Sequence, residues 1–289
     1  RRGIMLTMFV LAGAGTLALL VAFASSRERI PPAANNGRVR DDLMLLIRTP
    51  AWIAVALAAV LTPVAIASRA GSALFWFRYV AGDDGQPIFL FLDRIGLFYA
   101  AFAIGQLLGV VFAAALARRF DKSRLLILAG TIEVAAIIAF HLMPIDAVWP
   151  QTAAQVFIGV GLGMMMMLAY SMFTDIAEYL EWSTGRQMTG LAVSGAVFAI
   201  KTGVAIGAAL PGLLFAMTGF EAGAVQSESA KYGIDLAFAI VPAAMIVPAA
   251  VAMLFYRLDR ATIARFESEL AQRRSQSAMP PFPSAPETL

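Results

Sequence analysis

The sequence predicts an all-α, polytopic membrane protein. Of its 289 residues 60% are hydrophobic and only 14% charged, and the apolar residues fall into seven runs long enough to cross a bilayer. A soluble domain carries about 25% charged residues. With no cysteine, disulfides and Cys-based metal sites are excluded, and the single His141 cannot build a multi-His zinc site. The net charge of +3 is modest, and nothing points to a nucleic-acid partner.

The predicted spans are residues 4–24, 51–79, 88–117, 125–143, 149–175, 188–217 and 236–256. Turn and charge signals separate them: Pro31-Pro32, Asp83-Asp84-Gly85, the run from Arg118 to Arg124, Pro144, Gly185-Arg186, and the polar stretch 221–235. The chain opens on Arg1-Arg2-Gly3 without an initiator Met and shows no small-residue cleavage site. We therefore read 1–26 as a transmembrane helix of a longer protein. The expected organisation continues with a middle loop at 27–49, a six-helix bundle at 50–256, and a tail at 257–289. That tail begins as a charged helix and ends in a Pro/Ser-rich, disordered stretch.

Charge asymmetry sets the orientation. Of the 22 basic residues, 15 lie in 27–48, in 118–124, at Arg186 and in 257–274, all on one side of the spans. By the positive-inside rule that side, with the C-terminus, is cytoplasmic. The expected location is a cell (inner) membrane.

The chemistry-bearing candidates are ionisable residues inside apolar spans. Lys201 lies near the middle of 188–217, a stretch of roughly 45 Å as a helix against a bilayer core of about 30 Å. A lysine there is costly and calls for a partner, an ion or a water-filled path. Arg69 and Glu133 are also mid-span. Asp93 and Arg94 read as a local ion pair nearer the outer surface. Asp175, Glu178, Tyr179 and Trp182 share one helical face at i, i+3, i+4 and i+7, with Glu181 at its margin. This acidic patch at the cytoplasmic edge reads equally as a solvated helix end or as a gate of reversible ion pairs. Gly203-xxx-Gly207, and Gly159, Gly161 and Gly163, predict close helix packing. Met164 to Met167 read as adaptable packing, and Trp76, Phe77 and Tyr79 as an interfacial aromatic belt.

Two motifs add a family resemblance. The turn Arg118-Arg119-Phe120-Asp121-Lys122-Ser123-Arg124 resembles the degenerate basic loop in the second half of major facilitator superfamily transporters. Asp175, Tyr179, Glu181, Trp182, Thr184, Gly185 and Gly190, then Lys201-Thr202-Gly203 and Gly219-Phe220, resemble the glycoside–pentoside–hexuronide:cation symporter (melibiose permease-like) family. Arg69, Gly71 and 75–79 are similar to its seventh helix. Glu178 stands where that family often has Asp, Ser183 where Lys is common, and Gln187 where Arg is usual, with Arg186 one position earlier.

The resemblance implies helices six to twelve of a twelve-helix fold, without the N-terminal half that carries most of the cation-coordinating acids. It implies sugar or glycoside symport with Na⁺ or H⁺ by alternating access. No cofactor is expected beyond that coupling ion, and no enzymatic activity. Lys201 would face the central cavity, with Arg69, Met166, Val197 and Ile200 among its lining. Asp175, Glu178, Glu181 and Arg186 would form the cytoplasmic gate. The expected partners are a sugar or glycoside, the coupling cation, the lipid bilayer and the missing N-terminal half. A second transport reading is another solute such as a lysolipid. A retinal-binding photoreceptor is remote, because such proteins hold their lysine in the last span and this chain has none there.

Overall fold

The computed structural model describes residues 2–26 and 39–277. Arg1, Arg27, Arg29 and Arg38, most of the 27–49 loop's Pro-rich start, and the 278–289 end of the tail lie outside the described residues. The chain divides into two units, Arg1–Asn36 and Gly37–Leu289. The first unit holds α1 (Arg2–Ser25), whose 24 residues suffice to span a bilayer.

The second unit begins with a short amphipathic helix, α2 (Val39–Arg48). Pro50 then starts α3 (Pro50–Phe75), where its fixed φ and missing N–H suit the first helical turn. A π-helical turn, Trp76–Val80, completes that span. Next come α4 (Arg94–Leu116), α5 (Lys122–Leu142), α6 (Val148–Thr184) and α7 (Thr189–Thr218). The last span is composite: α8 (Glu228–Asp235), a second π-helical turn (Leu236–Ile240), α9 (Val241–Ala252) and a 3₁₀ turn. Finally α10 (Arg260–Ser277) forms the first part of the tail. Among the described residues there is no β-strand, only one isolated bridge between Phe89 and Leu92.

All seven predicted spans are present, with three boundaries moved. The third helix starts at Arg94 and not at 88, because the Asp93 carboxylate accepts the Gly96 N–H at 2.7 Å and caps it. Asp93 is therefore a cap and not the ion-pair partner of Arg94, whose guanidinium donates to the Ile145 carbonyl and to Gln151 Oε1. The fifth helix runs past 175 to Thr184, since nothing breaks it before Gly185 at φ 72°. The last span starts at Glu228, where the Ser227 hydroxyl caps it by accepting the Ala230 N–H.

Two helices hold the bundle together. Helix α3 packs mainly on α7 and α9, and α6 packs mainly on α4 and α5. The pattern is a repeat. Within α3–α4–α5 and α6–α7–α9, each first helix is central and packs on the second and third helices of the other set. Three spans per set place the two sets in opposite orientations, which makes this an inverted repeat.

Glycine seams carry the closest contacts. A Cβ at Gly203 or Gly207 would strike the carbonyl oxygens of Val60 and Val64 on α3. A Cβ at Gly105 or Gly109 would strike those of Val156 and Val160 on α6, and Gly159 and Gly163 answer them from the other side. Within lipid, such backbone approach supplies van der Waals contact that no hydrophobic drive replaces. We expect Gly105→Ala and Gly203→Ala each to destabilise by about 1–3 kcal/mol. Gly190→Ala, with open space around its position, should leave stability unchanged. Thermal unfolding in detergent checks the contrast.

Candidate functional site

Three regions of the second unit hold its unusual polar groups: the basic end, a buried centre, and an exposed face of α7.

At the basic end, Asp175 lies buried on α6. Its carboxylate accepts from Lys122 Nζ at 2.8 and 2.6 Å and from the Tyr256 hydroxyl at 3.4 Å. One helical turn on, Tyr179 and Trp182 pack on α10. Phe266 is buried beneath that contact, and the Trp182 indole N–H donates to Glu269 Oε2 at 2.7 Å. Arg273 donates to the Trp182 carbonyl at 3.1 Å. The Trp182 bond, followed by the Arg265 bond, holds the Glu269 carboxyl below the usual carboxylate range. Arg186 pairs with the buried Asp42 of α2 at 2.5 Å, and the Glu181 carboxylate accepts from Gln187 at 3.4 Å. Glu178 is half-buried.

Each predicted gate residue thus sits at this end, and three of them have named partners within this unit. Of those partners, Lys122 was visible in the basic turn. Asp42 was not, because a carboxylate in a polar helix gives no signal until that helix docks.

At the centre, Arg69 is 5% exposed. Nη1 donates to the Phe238 carbonyl at 2.7 Å and Nη2 to Gln155 Oε1 at 3.1 Å. The rings of Phe238, Phe140 and Phe98 lie 4.1, 4.9 and 5.4 Å from its Cζ. Both Phe238 and Ala237, whose carbonyl accepts from Ser68 at 2.8 Å, belong to the π-helical turn. A widened turn releases carbonyls from the i→i+4 ladder and presents them to α3. Glu133 on α5 is 2% exposed and lines a cavity of about 30 Å³ together with Arg69 and Gln155. Gln151 and Gln155, one turn apart on α6, were not singled out from the sequence. An uncharged amide inside an apolar span was the available signal.

Lys201 behaves differently. It is exposed on α7, away from the seam at Gly203 and Gly207, and none of the described residues bonds to it. The exposed positions in line with it are Gly190, Ser194, Val197, Ala205 and Ala208, mostly small or polar, with the exposed Phe198 and Val204 flanking it at i−3 and i+3. Ile200 and, on α6, Met166 are half-buried. The structure brings Arg69, Glu133 and Gln155 together in one cavity, whereas Lys201 belongs to an outward face.

Residues 1–260 match the family described as MFS/sugar transport protein. The chain belongs to that family. Its glycoside–cation symporter branch is supported by curated relatives. The chain is 27% identical to the Inner membrane symporter YicJ of Escherichia coli over 92% of its own length and 57% of that protein. It is 25% identical to the Glucuronide carrier protein homolog of Escherichia coli, over 92% and 56%. With the Isoprimeverose transporter of Lactiplantibacillus pentosus it shares 23% identity, over 95% and 56%. The chain therefore spans little more than half the length of the curated relatives it matches. It is a multi-pass membrane protein of a sugar-transporter family.

Two predictions follow from the basic end. Lys122→Ala leaves a buried carboxylate unpaired and should cost about 2 kcal/mol or more. A double-mutant cycle with Asp175→Ala should return a coupling above about 1 kcal/mol. For α10, the depressed Glu269 pKa means its contribution is present above the ordinary Glu value of about 4.3 and is lost as pH falls through the lower folded value. Protection of the α10 amides, taken relative to their intrinsic exchange at each pH, should thus be pH-insensitive near neutrality and fall only in acid, and Glu269→Gln should already lower it at neutral pH.

Proposed function

We propose that this chain is the C-terminal portion of a symporter that moves a sugar or glycoside with Na⁺ or H⁺ across a cell (inner) membrane, its C-terminus in the cytoplasm. The observation that carries the reading is Lys201. A charge exposed within a membrane span, with no bond to the described residues, needs a water-filled path or a partner surface. Small or polar side chains dominate the centre of that face, with Phe198 and Val204 at its margins, which fits a face turned to such a path. Membership of a sugar-transporter family, and relatives named for glucuronide and isoprimeverose, support a glycoside as the solute.

The inverted repeat and its glycine seams support a bundle that would move as one body, so alternating access would come from rocking it against an N-terminal counterpart. Lys201, Arg69, Met166, Val197 and Ile200 are the proposed cavity residues. Lys201 would bind a substrate oxygen or a carboxylate of the other half. Asp175, Glu178, Glu181 and Arg186 would carry the cytoplasmic gate. Their partners Lys122, Asp42 and Gln187 tie α5, α2 and the α6–α7 turn to that end. Cation and sugar binding would strengthen each other by the same factor.

The test is uptake of radiolabelled glycosides, pentosides and glucuronides into vesicles carrying the full-length transporter, under Na⁺ or pH gradients. Gradient-driven accumulation should appear for at least one class and fall by about tenfold or more in Lys201→Ala. If folded protein accumulates no glycoside under either gradient, this reading fails and an amphiphile such as a lysolipid becomes the solute to try.

A further inference from the structure

The cavity beside Arg69 has a property the transport reading does not use. Two polar atoms of opposite character are buried in it without a hydrogen-bond partner: Arg69 Nε, a donor, and Glu133 Oε2, an acceptor. The other guanidinium nitrogens are engaged by Phe238 and Gln155. Among the described residues no direct ion pair joins Arg69 to Glu133. A volume of about 30 Å³ accommodates a water or two. One water accepting from Arg69 Nε–H and donating to Glu133 Oε2 satisfies both groups.

The surroundings suit a carboxyl that changes charge without disturbing its neighbours. Arg69 is held by a carbonyl, an amide oxygen and three ring faces, so its own charge keeps partners when the carboxylate is neutralised. Helix α5 is fixed at this point, because Gly161 of α6 lies directly against the Cα and Cβ of Glu133. From α3 the charged group facing the cavity is Arg69, and from α4 the titratable one is Tyr99. Helix α6 offers the neutral Gln155, and α9 offers Pro242. Asp235, near Arg69, is occupied by the Trp76 indole at 3.1 Å and by His141 at 3.4 Å. The cavity reaches the surface at Ala70 and Tyr99, both exposed, where the Tyr99 hydroxyl donates to the Ala70 carbonyl at 3.1 Å.

We infer that Glu133 is a proton-binding site of this bundle, reached through the Tyr99 mouth and the cavity water. A hydronium at the mouth gives up its proton along that water to Oε2. The carboxylate becomes the acid, water is left behind, and release reverses the step. The inference rests on the symport reading and deepens it by making H⁺ the coupling ion, bound in this half of the molecule.

The test has two independent arms on the full-length transporter in lipid. Infrared spectroscopy during a pH titration should show a protonated-carboxyl C=O band that is absent in Glu133→Gln and present, shifted, in Glu133→Asp. Accumulation driven by a pH gradient should fall at least about fivefold in Glu133→Gln and recover in Glu133→Asp, with thermal unfolding confirming that each variant is folded. The inference is overturned if no titrating band depends on Glu133, or if folded Glu133→Gln keeps the parent's pH profile of uptake. A Glu133-dependent band in a parent that moves no glycoside upholds the proton site and sinks the symport reading. Glycoside uptake driven by Na⁺ alone, with no such band, does the reverse.

Discussion

A guanidinium inside a bilayer must be satisfied from within the bundle, and much of this structure follows from where Arg69 sits. Lipid cannot solvate it at that depth, so the bundle must supply its partners. In an ordinary helix each interior carbonyl already accepts an i+4 N–H, so an unengaged backbone acceptor is scarce. The π-helical turn at Leu236–Ile240 makes one, by releasing the Phe238 carbonyl toward α3. Gln155 supplies a second acceptor and three phenylalanines the faces. The five elements that meet there are α3, α6, the aromatic ends of α4 and α5, and the last span. They come from both halves of the inverted repeat, so one buried cation ties the two sets of three helices together.

The glycine seams work with that tie. They bring α7 onto α3 and α4 onto α6 at backbone distance, which leaves little freedom for one helix to slide past another. A bundle fastened at its seams and at its centre transmits motion as a unit. Its charged end is fastened too, with α2 held through Asp42 and α10 through Glu269. What is not fastened is the face of α7 around Lys201. The contrast between an Arg69 whose two terminal nitrogens are bonded within the bundle and an open Lys201 divides the intramembrane cations by role, the first holding the bundle and the second facing outward from it.

The spans, their number and the basic end were legible because apolar length and charge asymmetry are one-dimensional signals. The acidic run from Asp175 and the lysine in the next span carried the family for the same reason. The inverted repeat was not legible, since it resides in which helices touch and leaves no short period in the residues. The start of the third helix was misplaced because hydropathy cannot tell an apolar turn at 88–92 from a helix, whereas the Asp93 cap can. The π-helical turns were invisible as well. Their sequences are ordinary apolar residues, and the widening is understood only once Arg69 and Ser68 are seen to take the freed carbonyls. Gln155 and Asp42 were overlooked for a common reason: a polar residue's importance lies in its partner, and the partners are 86 and 144 positions away in Arg69 and Arg186.

The central claim is that the Lys201 face lines a water-filled path occupied by substrate. The chain contains no cysteine, so a Lys201→Cys variant offers a single reactive position within it. Labelling with a membrane-impermeant maleimide, with and without a transported glycoside, tests the claim most directly. The account predicts rapid labelling that the glycoside slows. A thiol that reacts only with lipid-soluble reagents, or at a rate indifferent to every glycoside the transporter accumulates, would place Lys201 outside the path and contradict it.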